Sequence, residues 1–252
     1  LRKDLFLLLF FPVLTVAFLT PASAEEFEQI DNLLAGGETE MALQLLDREQ
    51  AETPHDRGEI SWRRARAYYE LGRISENAAR RSVTLRHAEE SARRAVTADP
   101  QNDEGYKWLA IALGTRAKDA DLKTRVQLSR QVKENIDKAL ALDPRDDISL
   151  LVLSRWHYKV ASLNSGARIW VRIAYGGLPD ASLAEAETLL RQAIAEHDRI
   201  SHRYNLAKVY HRQGRRDAAL DQLRMALTLP VTFPEEKETR EKARRKLQKW
   251  IE

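Results

Sequence analysis

Along residues 203–229, large apolar residues recur at helical period as Leu206, Tyr210 and Leu223, with the small residues Ala207, Ala219 and Ala226 interleaved. Gly214 stands between the two stretches. The pattern predicts a pair of short antiparallel helices. The alanines let the axes approach, Tyr210 fills the gap between them, and Gly214 lets the chain turn. Looser copies precede this one. Residues 62–72, 106–114 and 150–159 read as first helices of earlier hairpins, and two of the second helices end in Asp-Pro stops at Pro100 and Pro144. A shorter copy covers residues 27–54, around Gly36-Gly37 and Ala42.

These positions match the tetratricopeptide repeat, a helical hairpin with a period of about 34 residues. The copies differ in one interval. Tyr210 to Ala219 is nine residues, Tyr69 to Ala88 and Leu113 to Val132 are nineteen, and His157 to Ala186 is twenty-nine. Two insertions of ten are nearly three helical turns each at ~3.6 residues per turn, so they predict lengthened helices; the insertion of twenty predicts an added element. Beyond Pro230 and Pro234, residues 235–252 form an amphipathic pattern with Ala243, Leu247, Trp250 and Ile251 on one side, suited to the cap that stacked repeats need. The fold class predicted is all-α, an α-α superhelix of about four and a half hairpins. The organisation is a leader at 1–24, a half-repeat at 25–56, repeats at 57–230 and a capping helix at 231–252.

The leader has three regions. Arg2 and Lys3 precede the apolar run 5–19, and Pro21-Ala22-Ser23-Ala24 gives a small-x-small site before Glu25-Glu26. This is the layout of a secretory signal, with cleavage expected after Ala24 and a secreted or periplasmic product. The alternative is a retained membrane anchor, although the run is shorter than the ~20 residues a spanning helix needs and contains Pro12.

Composition agrees with a helical stack and narrows the chemistry. The chain of 252 residues has 33 alanines, 10 glycines and 8 prolines, and 41 basic against 38 acidic residues. A net charge of +3 gives no nucleic-acid footprint. Cysteine is absent, which removes disulfides, thiolate nucleophiles and Cys-type metal sites. The histidines are His55, His87, His157, His197, His202 and His211, and none forms the i,i+4 pair of a helical metal site. Adjacent acid pairs such as Glu89-Glu90 and Asp146-Asp147 diverge around a helix and suit capping and solvation better than acid-base work. Gly36-Gly37 and Gly176-Gly177 lack the strand and Lys of a phosphate loop. No enzyme, metal or cofactor is predicted.

In order and spacing the chain resembles the regulator of microtubule dynamics proteins. The resemblance lies in YKWLAIALGTRA at 106–117, VKENIDKALALDP at 132–144, LLVLSRWHYKVASL at 150–163 and GGLPDASLAEAETLLRQA at 176–193, and it covers about residues 60–250. It implies a tetratricopeptide-like domain that binds partners, with members associated with microtubules and some with phospholipid at membrane contacts. A secretory leader instead suggests an exported bacterial relative, for which tubulin is not the expected partner.

In repeats of this kind the first helices line the concave face. The inward positions are Arg63; Lys107; Arg155, Tyr158 and Lys159; and Tyr204, Lys208, His211 and Arg212. A basic groove would hold an anion, because Arg offers a planar fork of donors and Lys a point charge. The expectation is an interaction scaffold for a protein or peptide, with Arg155, Lys159 and Lys208 as the cradle; ordinary ion pairing with neighbouring helices accounts for the same charges equally well. In the long insertion no acid occurs from Lys159 to Gly177, while Trp170, Val171, Ile173 and Tyr175 surround Arg168 and Arg172. One reading is a lid that dips into a lipid headgroup layer or closes over an acyl chain, making the protein a carrier or tether for anionic phospholipid and its membrane contact peripheral. The reading preferred is a short helix with its aromatic side packed into the groove and its arginines in water.

Overall fold

The computed structural model describes residues 24–49 and 53–251, and the leader lies outside them. Every regular element among the described residues is a helix: α1 (Ala24–Gly36), α2 (Thr39–Leu46), α3 (Pro54–Ile74), α4 (Ala78–Ala98), α5 (Asp103–Arg116), α6 (Leu122–Leu142), α7 (Asp147–Ala161), α8 (Ser165–Tyr175), α9 (Leu183–Glu196), α10 (Ile200–Arg212), α11 (Arg216–Thr228) and α12 (Pro234–Ile251). Local sequence sets the boundaries. Thr53 and Asp56 form a reciprocal capping box around Pro54 at the start of α3, and Asn77, Asn102, Asp121, Asp146, Asn164 and Ser182 each accept a backbone N–H in the first turn of the next helix.

The hairpins are α1/α2, α3/α4, α5/α6, α7/α9 and α10/α11, with α12 packed on the last. Alanine makes the close contacts: Ala67, Ala88, Ala92, Ala95, Ala110, Ala186, Ala207, Ala219 and Ala226 are all fully buried. At Gly72 even a methyl would be too large, since a Cβ there would lie 2.8 Å from Leu85 Cγ. Gly214 turns the last hairpin at φ +80°, a conformation that glycine takes at no steric cost. The first helices α3, α5, α7 and α10 touch in succession, forming the inner row of a superhelix.

The first insertion lengthens both partners, α3 and α4, to 21 residues against 13 in α10 and α11. The second lengthens α6 to 21 residues and leaves α5 at 14, so only one side of that pair grows. The third adds α8, but not in the expected place. Its contacts go to α6, the outer helix of the preceding hairpin. Arg130 on α6 donates from Nε to the Gly177 carbonyl at 3.0 Å and from Nη2 to the Tyr175 carbonyl. The side of α8 turned inward carries the buried Val171, while Trp170 is 52% exposed and Ile173 80%. The expected packing of the aromatic side into the groove is therefore corrected: α6 takes the helix, and its apolar ridge faces water.

The cap does more than cover α11. Its apolar side, with buried Ala243, joins Ile200, Ala207, Leu223 and Ala226. Its start abuts the opposite end of the stack, because a Cβ on Gly37 would lie 3.3 Å from Pro234 Cγ. Arg73, at the end of α3, reaches Glu238 of α12 at 3.8 Å. Thus α12 crosses the open side of the inner row.

Candidate functional site

Polar links pin the N-terminal parts of the inner helices to one another. The amide of Asn102, the N-cap of α5, donates to Glu59 of α3 at 2.6 Å. Lys107 of α5 bonds Glu104 at 2.5 Å and Asp146, the N-cap of α7, at 3.1 Å. Asp147 of α7 pairs with Arg199, and His202 Nε2 lies 3.3 Å from the same carboxylate. Burial, offset in part by that carboxylate, lowers the His202 pKa.

This seam removes some expected site residues. Lys107 is only 6% exposed, and with both acids engaged it joins hairpins and does not face a ligand. Arg63 is 7% exposed and pairs with Asp31 and Glu59. Both stand six residues ahead of the gap-filling positions Tyr69 and Leu113, a register that turns toward the adjoining hairpin. For these two, ordinary ion pairing is the correct account.

Two residues ahead of the gap-filling position the outcome differs. Arg155 and Lys208 share that register, before His157 and Tyr210, and among the described residues neither has a carboxylate within ion-pair distance. Lys208 Nζ sits 4.7 Å from the Tyr158 ring centre and 5.8 Å from that of Tyr204. Its one hydrogen bond is a long one, 3.5 Å to Asn205 Oδ1. Burial, and then the charges of Arg155, Lys246, Lys159 and Lys242, lower its pKa to about 8. Lys159 is lowered by burial, Lys118, Arg155 and Arg125. Lys118, just past α5, is lowered by burial, Arg155 and Lys242, against the opposing influence of Asp119 and Glu238. Arg155 is exposed along part of its side chain while neighbouring protein crowds its guanidinium group. Burial lowers its pKa, against the opposing influence of Tyr69, Tyr204 and Glu235.

The structure thus brings together Arg155, Tyr158, Lys159, Tyr204 and Lys208 and adds Lys118, Lys242 and Lys246, which the sequence reading passed over. The i,i+4 spacing of Lys242 and Lys246 is visible in the chain, but only the path of α12 across the inner row turns it toward Lys208. The other expected residues lie elsewhere. His211 stacks on Trp250 of the cap, ring centres 3.9 Å apart. Arg212 donates to the Ser162 carbonyl at 3.3 Å. Arg168, Trp170 and Arg172 ride on α8, where Arg168 donates to the Ala161 carbonyl at 3.3 Å. Two shallow clefts of about 490 and 510 Å³, lined by residues such as Arg93 and Lys138 or Glu25 and Asn32, also lie apart from the cluster.

Like charges set close together cost stability, because each cation raises the cost of charging its neighbours; Glu238, paired with Lys242 at 2.7 Å, and Glu235 and Asp119 offset part of that cost. A bound anion reverses that sign by giving the set a shared partner.

The family model described as regulator of microtubule dynamics protein 1-3 matches residues 26–251. Regulator of microtubule dynamics protein 3 of Xenopus laevis is 30% identical over 186 residues, which is 73% of this chain and 40% of that protein. Regulator of microtubule dynamics protein 1 of Bos taurus is 30% identical over 183 residues, 70% of this chain and 57% of that protein. The chain therefore spans about half the length of these relatives. Among solved structures, a thermophilic TPR protein of Thermus thermophilus is similar with a TM-score of 0.60 at 22% identity, covering 90% of this chain and 97% of that one. That likeness is one of fold.

Proposed function

The chain belongs to the regulator of microtubule dynamics protein 1-3 family, and from that premise we propose that it is a non-catalytic scaffold whose inner row receives an acidic segment of a partner protein. The observation that carries this reading is a set of cations that outnumbers its carboxylates: Arg155, Lys159, Lys208 and Lys118, none of them in an ion pair among the described residues, near Lys246 and the Glu238-paired Lys242 of the cap. Stacked hairpins provide an extended concave surface for such a segment. Tyr158 and Tyr204 flank Lys208 with flat apolar walls, so a carboxylate would meet charge while its neighbouring side chains lie on aromatic faces. The relatives' names attach them to microtubules; here the partner is defined by its chemistry, a peptide rich in Asp or Glu.

The test is titration of a fluorescent peptide of alternating Glu and Gly into the protein at low and high salt. Saturable binding that weakens with salt and is lost in Arg155→Ala and Lys208→Ala is the expected result. Equal binding by the parent and both variants would reject the groove.

Export belongs to the same proposal. The Arg2-Lys3 pair, the apolar run and the Ala22-Ser23-Ala24 site support a secretory leader. Expression with the leader in a bacterial host should give a periplasmic product beginning at Glu25, whereas an intact N-terminus in the membrane fraction would make it an anchor.

A further inference from the structure

Helix α8 is built inside out for a surface helix. At 100° per residue, Val171 and Tyr175 share the side that meets α6, and Ile169 and Ile173 share the opposite side with Trp170 on its flank. Ile169 is 59% exposed, so with Trp170 and Ile173 it makes a continuous apolar ridge pointing away from the protein. Trp170 and Tyr175 meet edge to face at 5.4 Å, which steadies the indole on that flank. Arg168 and Arg172, one turn apart and both exposed, border the ridge on its other flank.

We infer that α8 is an interfacial helix that docks the protein onto an anionic bilayer surface, with Ile169, Trp170 and Ile173 entering the boundary between headgroups and acyl chains and Arg168 and Arg172 holding lipid phosphates. The chemistry selects this occupant. No Asp or Glu lies between Lys159 and Gly177, so α8 itself carries no charge that repels an anionic surface. An indole beside a ridge of isoleucines is the side chain that prefers the headgroup level. Long arginine stems extend along an apolar boundary while their guanidinium groups stay in the polar layer. The geometry permits it too, since α8 lies against the outer helix α6 and leaves the inner row free. No helix among the described residues is long and apolar enough to cross a membrane; the contact is one of a helix lying in the interface, and one short helix makes it reversible and dependent on anionic lipid.

The experiment uses the chain from Glu25 onward, which keeps α1 from its second residue and every later helix, so that the leader cannot insert. It is sedimented with vesicles of phosphatidylcholine alone and of phosphatidylcholine with about one third phosphatidylserine. The chain is expected to partition only onto the anionic vesicles and less so at high salt, with its tryptophan emission shifting to the blue. Ile173→Glu and Trp170→Glu should each lower the partition at least about tenfold without moving the melting temperature, because both positions are exposed. Trp170→Phe should keep the binding and lose the blue shift. Arg155→Ala with Lys208→Ala should leave the partition unchanged; if that pair abolishes it, the groove cations hold the vesicles and the assignment to α8 falls. Absence of partition by the parent chain, or equal partition by Ile173→Glu, overturns the proposal. So does a concentration-dependent dimer that Ile173→Glu dissolves, which would give the ridge to a second copy.

Discussion

Lys208 on α10 holds its ammonium 4.7 Å from the centre of the Tyr158 ring on α7. The contact crosses the seam between two hairpins, and the aromatic face is the ammonium's chief compensation for lost water. A ring quadrupole replaces hydration only in part, so the lysine titrates near pH 8.

The sign of the consequence follows from proton counting. Between about pH 8 and the ordinary lysine value, the unfolded chain binds a proton at residue 208 that the folded chain has released, so this residue makes stability rise with pH across that window. Lys208→Met should remove the rise and increase stability at neutral pH. Urea midpoints of parent and variant from about pH 7 to about pH 10 check it, and identical pH profiles would contradict the burial of a charged Lys208. An anion in the groove raises the Lys208 pKa again, so acidic-peptide binding at pH 8 should take up protons, read as a dependence of the binding heat on buffer ionisation enthalpy.

Arg155 and Lys107 are both basic residues of inner helices, and they should respond in opposite ways. Arg155→Ala should weaken acidic-peptide binding by ~1.5 to 3 kcal/mol, the scale of a hydrogen bond to a charged group, with stability held or raised. Lys107→Ala leaves Glu104 and Asp146 without their shared cation and should cost ~3 kcal/mol of stability, with peptide affinity intact. Parallel melting and binding curves decide between the two. Lost stability in Arg155→Ala with unchanged affinity would mean that Arg155 is another seam residue.

Packing at the hairpin contacts can be tested without reference to a ligand. Ala219 is fully buried in the cluster with Leu190, Leu206 and Tyr210, and Ala219→Leu should cost ~1 to 3 kcal/mol through overpacking. Gly72→Ala should be destabilising too, despite the better helix propensity of alanine, because its methyl meets Leu85. A rise in the urea midpoint for either variant would show that the helix axes stand further apart than described.

The amino-acid pattern by itself determined the helical hairpins, their number, which of them carry insertions and the cap, but not that the second insertion would lengthen α6 alone. These depend on local periodicity, on small residues at contacts and on capping residues, all of which act within about one turn of the chain. It also placed Arg155, Lys159 and Lys208 on the inner helices, because the register relative to Tyr210 and His157 repeats from copy to copy. It did not separate them from Lys107. Whether an inward cation is free or paired depends on what the next hairpin presents, and Asp146 comes 39 residues after Lys107. Tertiary structure also decided the two features without a repeat to guide them. Helix α8 has two apolar flanks of similar character, and its direction was settled by the hold of Arg130 on the carbonyls of Tyr175 and Gly177. The cations of α12 join the inner row only because the superhelix curves far enough to bring Pro234 against Gly37 and Lys242 and Lys246 near Lys208. Curvature is the sum of small rotations at every hairpin contact, and no local stretch of sequence encodes it.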